Sequence, residues 1–182
     1  MKILLSIVIL VNFLSAYEIE HFLFPNDRKI AEKSILKAIS DAKESIDIAM
    51  FMVTNGKIVK ALKKKAKGKD SVKIRLIADE SYDKENKKIS KVKKLTGSKN
   101  IKLFLIHGKK KSKKSKEKFG IMHSKLMIVD NNMTYTGSVN WTKSAFNYNY
   151  EILIKIKDLK TAKLYTGYFN EMLEKSIAYG KK

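Results

Sequence analysis

The stretch Gly120–Thr142, GIMHSKLMIVDNNMTYTGSVNWT, carries two short apolar runs on either side of Asn131-Asn132. IMHSKLMIVD and MTYTGSVN are too short for helices and are separated by turn residues. The spacing predicts a β-hairpin with a two-residue turn. Residues two apart on a strand share a face. His123 and Lys125 then project together, and Ser138 and Asn140 do the same from the facing strand. Glu151 heads the next strand-like run, YEILIKI. One end of a sheet would gather an imidazole, an ammonium, a hydroxyl, an amide and a carboxylate. That set suits phosphate chemistry: lysine and asparagine stabilise phosphoryl oxygens, and an imidazole serves as nucleophile or general acid. Spacing alone leaves the alternative that His123 is a structural or solvent-exposed residue at a strand start.

Working outward, strand and helix patterns alternate in an α/β manner. YEIEHFLF reads as a strand. Pro25-Asn26-Asp27 opens a helix over KIAEKSILKAISDAK. SIDIAMFMV is a strongly apolar, central strand, and Asn55-Gly56 leads into the basic helix KIVKALKKKAKG. VKIRLIAD is a strand closed by Asp79, Ser81 to Leu95 a polar helix, IKLFLI a strand ending at His107, and LKTAKLYTGYFNEMLEKS an amphipathic helix. The length of 182 residues suits one domain. Between Gly108 and Gly120 stand seven lysines and one glutamate, a mobile loop by composition.

The chain has 39 basic against 18 acidic residues, a net charge of +21. All but Arg28 and Arg75 of the basic residues are lysine. A polyanionic partner follows, nucleic acid or an anionic membrane surface. A general lysine bias would give the same total. Lys2, the apolar run Ile3–Leu14 and Ser15-Ala16 read as an export signal over residues 1–16. The run would span about 18 Å as a helix, against about 30 Å of bilayer hydrocarbon. Cleavage is therefore favoured, with an uncleaved membrane anchor as the alternative. The mature domain would be 17–182, exported to the periplasm or held at the cell envelope. No metal or cofactor is expected: the chain has no cysteine, and its three histidines lack ligand spacing.

HSKLMIVD fits the H-x-K-x-x-x-x-D signature of the phospholipase D superfamily through His123, Lys125 and Asp130. GSVNWT resembles that family's G-S-x-N segment, and Glu151 stands where the family often has an acidic partner for the histidine. SIDIAMFMVTNGKIVKAL and VKIRLIAD resemble the upstream strand–helix–strand, so the resemblance runs from about Ile19 to Glu174. Within the superfamily the sequence is most similar to small, single-motif, exported bacterial endonucleases of the Nuc type. The resemblance implies an α/β fold with a mixed sheet flanked by helices on both faces, one domain per chain, in a homodimer. It implies metal-independent phosphodiester hydrolysis through a phosphohistidine, with DNA as substrate, single strands and RNA included among the candidates. His123 would act as nucleophile in one copy and as general acid in the other. Lys125 and Asn140 would bind phosphate, Ser138 would support them, and Glu151 would hold the His123 ring. Asp130 completes the catalytic motif, although its place by the turn reads as structural.

The mechanism needs two histidines, and neither His21 nor His107 begins a second motif. A two-fold dimer with the site at its interface supplies the second. Lys109, Lys110, Lys111, Lys113 and Lys114 lie beside the motif in sequence and are candidate contacts to backbone phosphates. Trp141, Phe146, Tyr148 and Tyr150 are candidates for base stacking, with core packing favoured for Trp141. Two further readings stand beside the nuclease: a lipid-directed phospholipase associated peripherally with the membrane, and a non-catalytic envelope protein that binds DNA during uptake.

Overall fold

Ser45–Met50 (β2) is buried at every position after the first. Such a strand belongs in the middle of a sheet covered on both faces, and the computed structural model, which describes residues 18–68, 72–112 and 118–180, places it there. The export-signal reading of residues 1–16, and Lys113 and Lys114, lie outside the described residues.

The remaining strands are β1 (Glu18–Phe24), β3 (Lys73–Asp79), β4 (Ile101–Ile106), β5 (Lys125–Val129), β6 (Met133–Gly137), β7 (Glu151–Lys157) and β8 (Ile177–Ala178). They form one eight-stranded sheet in the order β1-β7-β6-β5-β2-β3-β4-β8. β2, β3 and β4 are parallel to one another; every other pairing is antiparallel. The helices are α1 (Arg28–Asp41), α2 (Gly56–Lys67), α3 (Glu80–Glu85), α4 (Lys143–Asn147) and α5 (Leu159–Glu174). α1 and α2 cover one face, burying Ile35, Ile39, Ile58 and Leu62 against Ile46, Ile48, Ile74, Leu76 and Met127. α5 covers the other, packing Ala162, Phe169 and Met172 on Ala49, Ile77, Leu126 and Ile128. The sheet is thus mixed and flanked on both faces, as the resemblance implies.

Two polar groups enter the α5 side of the core together. Asp47, 2% exposed, takes a bidentate pair from Arg75 at 2.6 and 2.5 Å, and the guanidinium lies 5.0 Å from the Phe169 ring centroid. The fork geometry satisfies both carboxylate oxygens, which a buried charge requires.

Four expectations are corrected. The polar helix read over Ser81 to Leu95 stops at Glu85, where Asn86 closes it by donating its backbone N–H (2.9 Å) and side-chain Nδ2 (3.0 Å) to the Tyr82 carbonyl. A 3-10 turn, Val92–Leu95, follows. The hairpin turn has three residues rather than two, because Val129 pairs with Met133. Asp130 and Asn131 take left-handed backbone, φ 51° and 48°, which Asp and Asn tolerate better than most residues. The expected strands also end early at the site: β5 begins at Lys125 and β6 ends at Gly137, so His123, Ser138 and Asn140 sit just beyond strand ends. Finally, the lysine segment is not loop throughout. Gly108, Lys109 and Lys111 bond to Gly120 and Lys118 across an antiparallel ribbon, with three N···O distances of 2.8–2.9 Å. A Cβ on Gly108 would meet the Gly120 carbonyl carbon at 2.7 Å, so glycine is what lets the two arms approach.

Candidate active site

The parallel strands bring their carboxyl ends to one edge of the sheet, and open α/β sheets bind ligands there. Met50, at the end of β2, pairs with Lys125 at the start of β5. Gly137, at the end of β6, pairs with Leu153, two residues into β7. His123, Lys125, Ser138, Asn140 and Glu151 therefore all come to this edge. Gly137 allows the crowding. Its φ is 151°, and a Cβ there would meet the Ile152 carbonyl oxygen at 2.1 Å.

Lys125 is 6% exposed, the one buried lysine among the described residues. Its Nζ donates to the His123 carbonyl at 2.7 Å and lies 5.2 Å from the Phe51 ring centroid. Burial lowers its pKa to about 8, against an opposing pull from Glu151. The His123 ring packs 4.7 Å from Phe51, centroid to centroid, and remains exposed on its open side. Burial and then the Lys125 charge lower its pKa, while Asp79 and Glu151 oppose that shift. Neutral imidazole, the nucleophilic form, is favoured, next to an ammonium that is cationic below about pH 8.

Ser138 is exposed and Asn140 half-buried, while their neighbours turn into the core: Val139 is 1% and Trp141 3% exposed. The Trp141 carbonyl accepts from Thr54 and Asn55 N–H, both at 2.8 Å, and its N–H donates to Met52. Ser138 Oγ accepts from Ile152 N–H at 3.1 Å, and its own N–H donates to the Ile152 carbonyl. This locks the Ser138 loop to the start of β7. Asn140 Oδ1 is buried without a partner among the described residues. Glu151 Oε1 accepts from Asn149 at 3.1 Å, and its charge raises the pKa of both His123 and Lys125.

Asp130 stands apart from the other motif residues, as its place by the turn suggests. It lies at the far end of β5, about 17 Å from Lys125 at about 3.3 Å per residue. Its carboxylate accepts the backbone N–H groups of Lys43, Glu44 and Ser45 at 2.8, 2.8 and 2.9 Å, pinning the connection into β2. Trp141 and Phe146 are core residues and are not available for stacking. Tyr148 and Tyr150, 69% and 93% exposed, stand just before Glu151 and are. Lys109, Lys110 and Lys111 lie on the ribbon beside this edge. His107 stacks on Phe119 at 3.8 Å and lines a cavity with Phe51 and Tyr82.

Two contributors were not legible as site residues. Asp79, fully buried, accepts from Met122 N–H at 2.7 Å, Ser81 Oγ at 2.5 Å and Tyr82 N–H at 2.9 Å. It thereby fixes the backbone next to His123. Its place at the end of a parallel strand was the available signal. Phe51, packed against both His123 and Lys125, gave no signal beyond the apolar run.

The sequence model of the family described as "Cardiolipin synthase, PLD-like domain" matches residues 35–173. The structure of NucT from Helicobacter pylori is similar at TM-score 0.82 and 33% identity, over 90% of this chain and all of that one. Nuc from Salmonella typhimurium, a phospholipase D family member, superposes at TM-score 0.74 with 26% identity, over 91% of this chain and all of that one. A phospholipase D of Rickettsia prowazekii is 32% identical over 135 residues, covering 73% of this chain and 58% of that protein. The chain spans about half the length of the curated relatives it matches.

Proposed function

This chain belongs to the phospholipase D superfamily, and on that premise we propose that it is a metal-independent phosphodiesterase that cleaves nucleic acid with little sequence preference. The observation that carries the reading is the buried Lys125. An ammonium 6% exposed is costly to keep, and this one stands beside an exposed imidazole that is easily neutral. Such a pair binds and attacks a phosphodiester without needing a metal's charge.

In the proposed reaction a His123 nitrogen attacks phosphorus, forming a P–N bond as the bond to the leaving oxygen breaks. His123 of a second copy gives that oxygen its proton. The same imidazole then takes a proton from water, whose oxygen attacks phosphorus and breaks the P–N bond. Lys125 and Asn140 neutralise and orient the phosphoryl oxygens throughout, with Ser138 fixing their loop. One feature outside the motif supports the second copy. Ile19, Leu23 and Ile152 are 44%, 55% and 50% exposed on adjacent strands, where Leu23 pairs with Ile152, next to Glu151. An apolar strip continuous with the site fits an isologous interface. The N-terminal residues support an exported protein at the cell envelope.

The test compares wild type with His123→Ala on single-stranded DNA, duplex DNA, RNA and phospholipid, all with chelator present. Cleavage of nucleic acid by wild type alone is expected. Turnover of phospholipid only would replace this reading with the lipid hydrolase suggested by the name of the Rickettsia relative. Equal cleavage by the mutant would refute the site.

A further inference from the structure

The positive charge is not spread evenly. α2, Gly56–Lys67, holds six lysines and no carboxylate, and residues 86–100, which include the 3-10 turn, hold six more and again none. Elsewhere the signs mix: Lys37 pairs with Asp41 on α1, Lys84 with Glu80 on α3, and Lys155 with Glu20 across the sheet. A general lysine bias would not sort the acids away from two elements that pack together. Lys60 and Lys64, and Lys63 and Lys67, are like-charge pairs at helical spacing, which weaken a helix.

α2 and the 3-10 turn enclose a groove of about 610 Å³ lined by Lys60, Lys63, Lys64, Lys67, Lys91 and Lys94. A second cavity, about 500 Å³, shares Gly56 and Lys91 with it and reaches Lys143 and Asn147, just after Asn140. Glu32, the acid in that second cavity, is paired with Lys57 at 2.7 Å. Continuity with the active site is short. Phe51 touches His123, and α2 begins five residues later. The helix is about 18 Å long at about 1.5 Å per residue, long enough to run beside several consecutive phosphates.

We propose that the α2 groove is a second, non-catalytic binding track for the phosphate backbone of the nucleic-acid strand being cleaved, outside the catalytic pocket. This rests on the nuclease reading above. The track holds the strand through unspecific phosphate contacts and favours long substrates over short ones.

The test is the full chain carrying Lys60→Gln, Lys63→Gln, Lys64→Gln and Lys94→Gln, compared with wild type. Fluorescence anisotropy is read with 6- and 30-nucleotide single strands across a salt series, beside turnover of bis(p-nitrophenyl) phosphate. Each lost contact should lower the log–log salt slope by about 0.7, so the 30-mer slope should fall by up to about 3 and affinity by at least about tenfold near 0.15 M salt. The 6-mer affinity and the small-substrate rate should stay as in wild type. An unchanged 30-mer slope overturns the track while leaving the nuclease intact. Wild type that binds and cleaves no nucleic acid overturns both. Loss of binding to phosphatidylglycerol vesicles with unchanged 30-mer affinity overturns the track and makes the groove a membrane contact. A folding defect is recognised by thermal unfolding, where the variant should be at least as stable as wild type because like-charge repulsion is relieved. A destabilised variant with a flat salt-slope difference also counts against the track.

Discussion

Replacing Asp130 separates the two roles that a motif aspartate can have. Its Oδ1 accepts from Glu44 and Ser45 N–H and its Oδ2 from Lys43 N–H. Asp130→Asn keeps one oxygen, and with it two of the three bonds, but turns an NH₂ toward the Lys43 N–H. Asparagine also tolerates the φ of 51°. The expected cost is about 1–2 kcal/mol, one lost bond to a charged acceptor. Asp130→Ala loses all three bonds, about 1 kcal/mol each where water can replace the carboxylate, and adds about 1 kcal/mol of left-handed strain. The expected total is about 4 kcal/mol, a fall in Tm of about 10 °C for a domain of this size. Urea and thermal unfolding check the stabilities, and cleavage rates taken well below Tm check the site. Both variants should retain kcat within about threefold, because the residue sits at the opposite sheet edge. Wild-type stability with a large loss of kcat would refute the structural assignment.

Four more outcomes follow from the site. Lys125→Met should cut the cleavage rate by about 10²–10³ yet raise stability near pH 7. In wild type the lysine's folded-state pKa, about 8, lies below its ordinary 10.5. Its burial penalty is therefore full below pH 8 and relieved between about pH 8 and 10.5, amounting to about 3 kcal/mol; denaturation across that window should show stability rising in wild type and flat in the variant. Glu151→Gln removes a pull that raises both His123 and Lys125, so both limbs of the pH–rate profile should move to lower pH; immobile limbs would exclude its electrostatic role. Asp79→Asn removes an opposing charge from His123 and slackens Met122, so kcat should fall, with the acid limb shifted downward. Sedimentation should find a dimer, and Ile152→Glu together with Leu23→Glu should give a folded monomer that no longer cleaves; an active monomer would sink the shared site.

Much of this was legible because period and turn chemistry agreed. SIDIAM read as a central strand because it is strongly apolar, and KIRLIAD read as a further strand; the two are parallel neighbours in the middle of the sheet. Asn55 read as a helix start, and its side chain does accept from Lys57 and Ile58 N–H at 2.9 and 3.4 Å. The polar helix over Ser81 to Leu95 misled because propensity without an apolar face cannot extend a helix past Asn86. α4 and β8 were missed because five and two residues are too few to show a period. At the site, residue types were legible but their mounting was not. His123 and Asn140 stand on loops past the strand ends, and only tertiary packing shows that Val139 and Trp141 turn inward to aim them. Asp79 was invisible as a partner of Met122 because the two are 43 positions apart.

The central claim is that His123 forms a covalent bond to phosphorus. Wild type should be mixed with a single-stranded oligonucleotide in chelator, quenched in alkali during turnover, digested and read by mass spectrometry. A phosphoramidate joining the cleaved strand's phosphate to His123, absent from His123→Ala and labile in acid, is the expected result. Cleavage by wild type with no adduct at His123, at a rate the His123→Ala variant matches, would contradict the account.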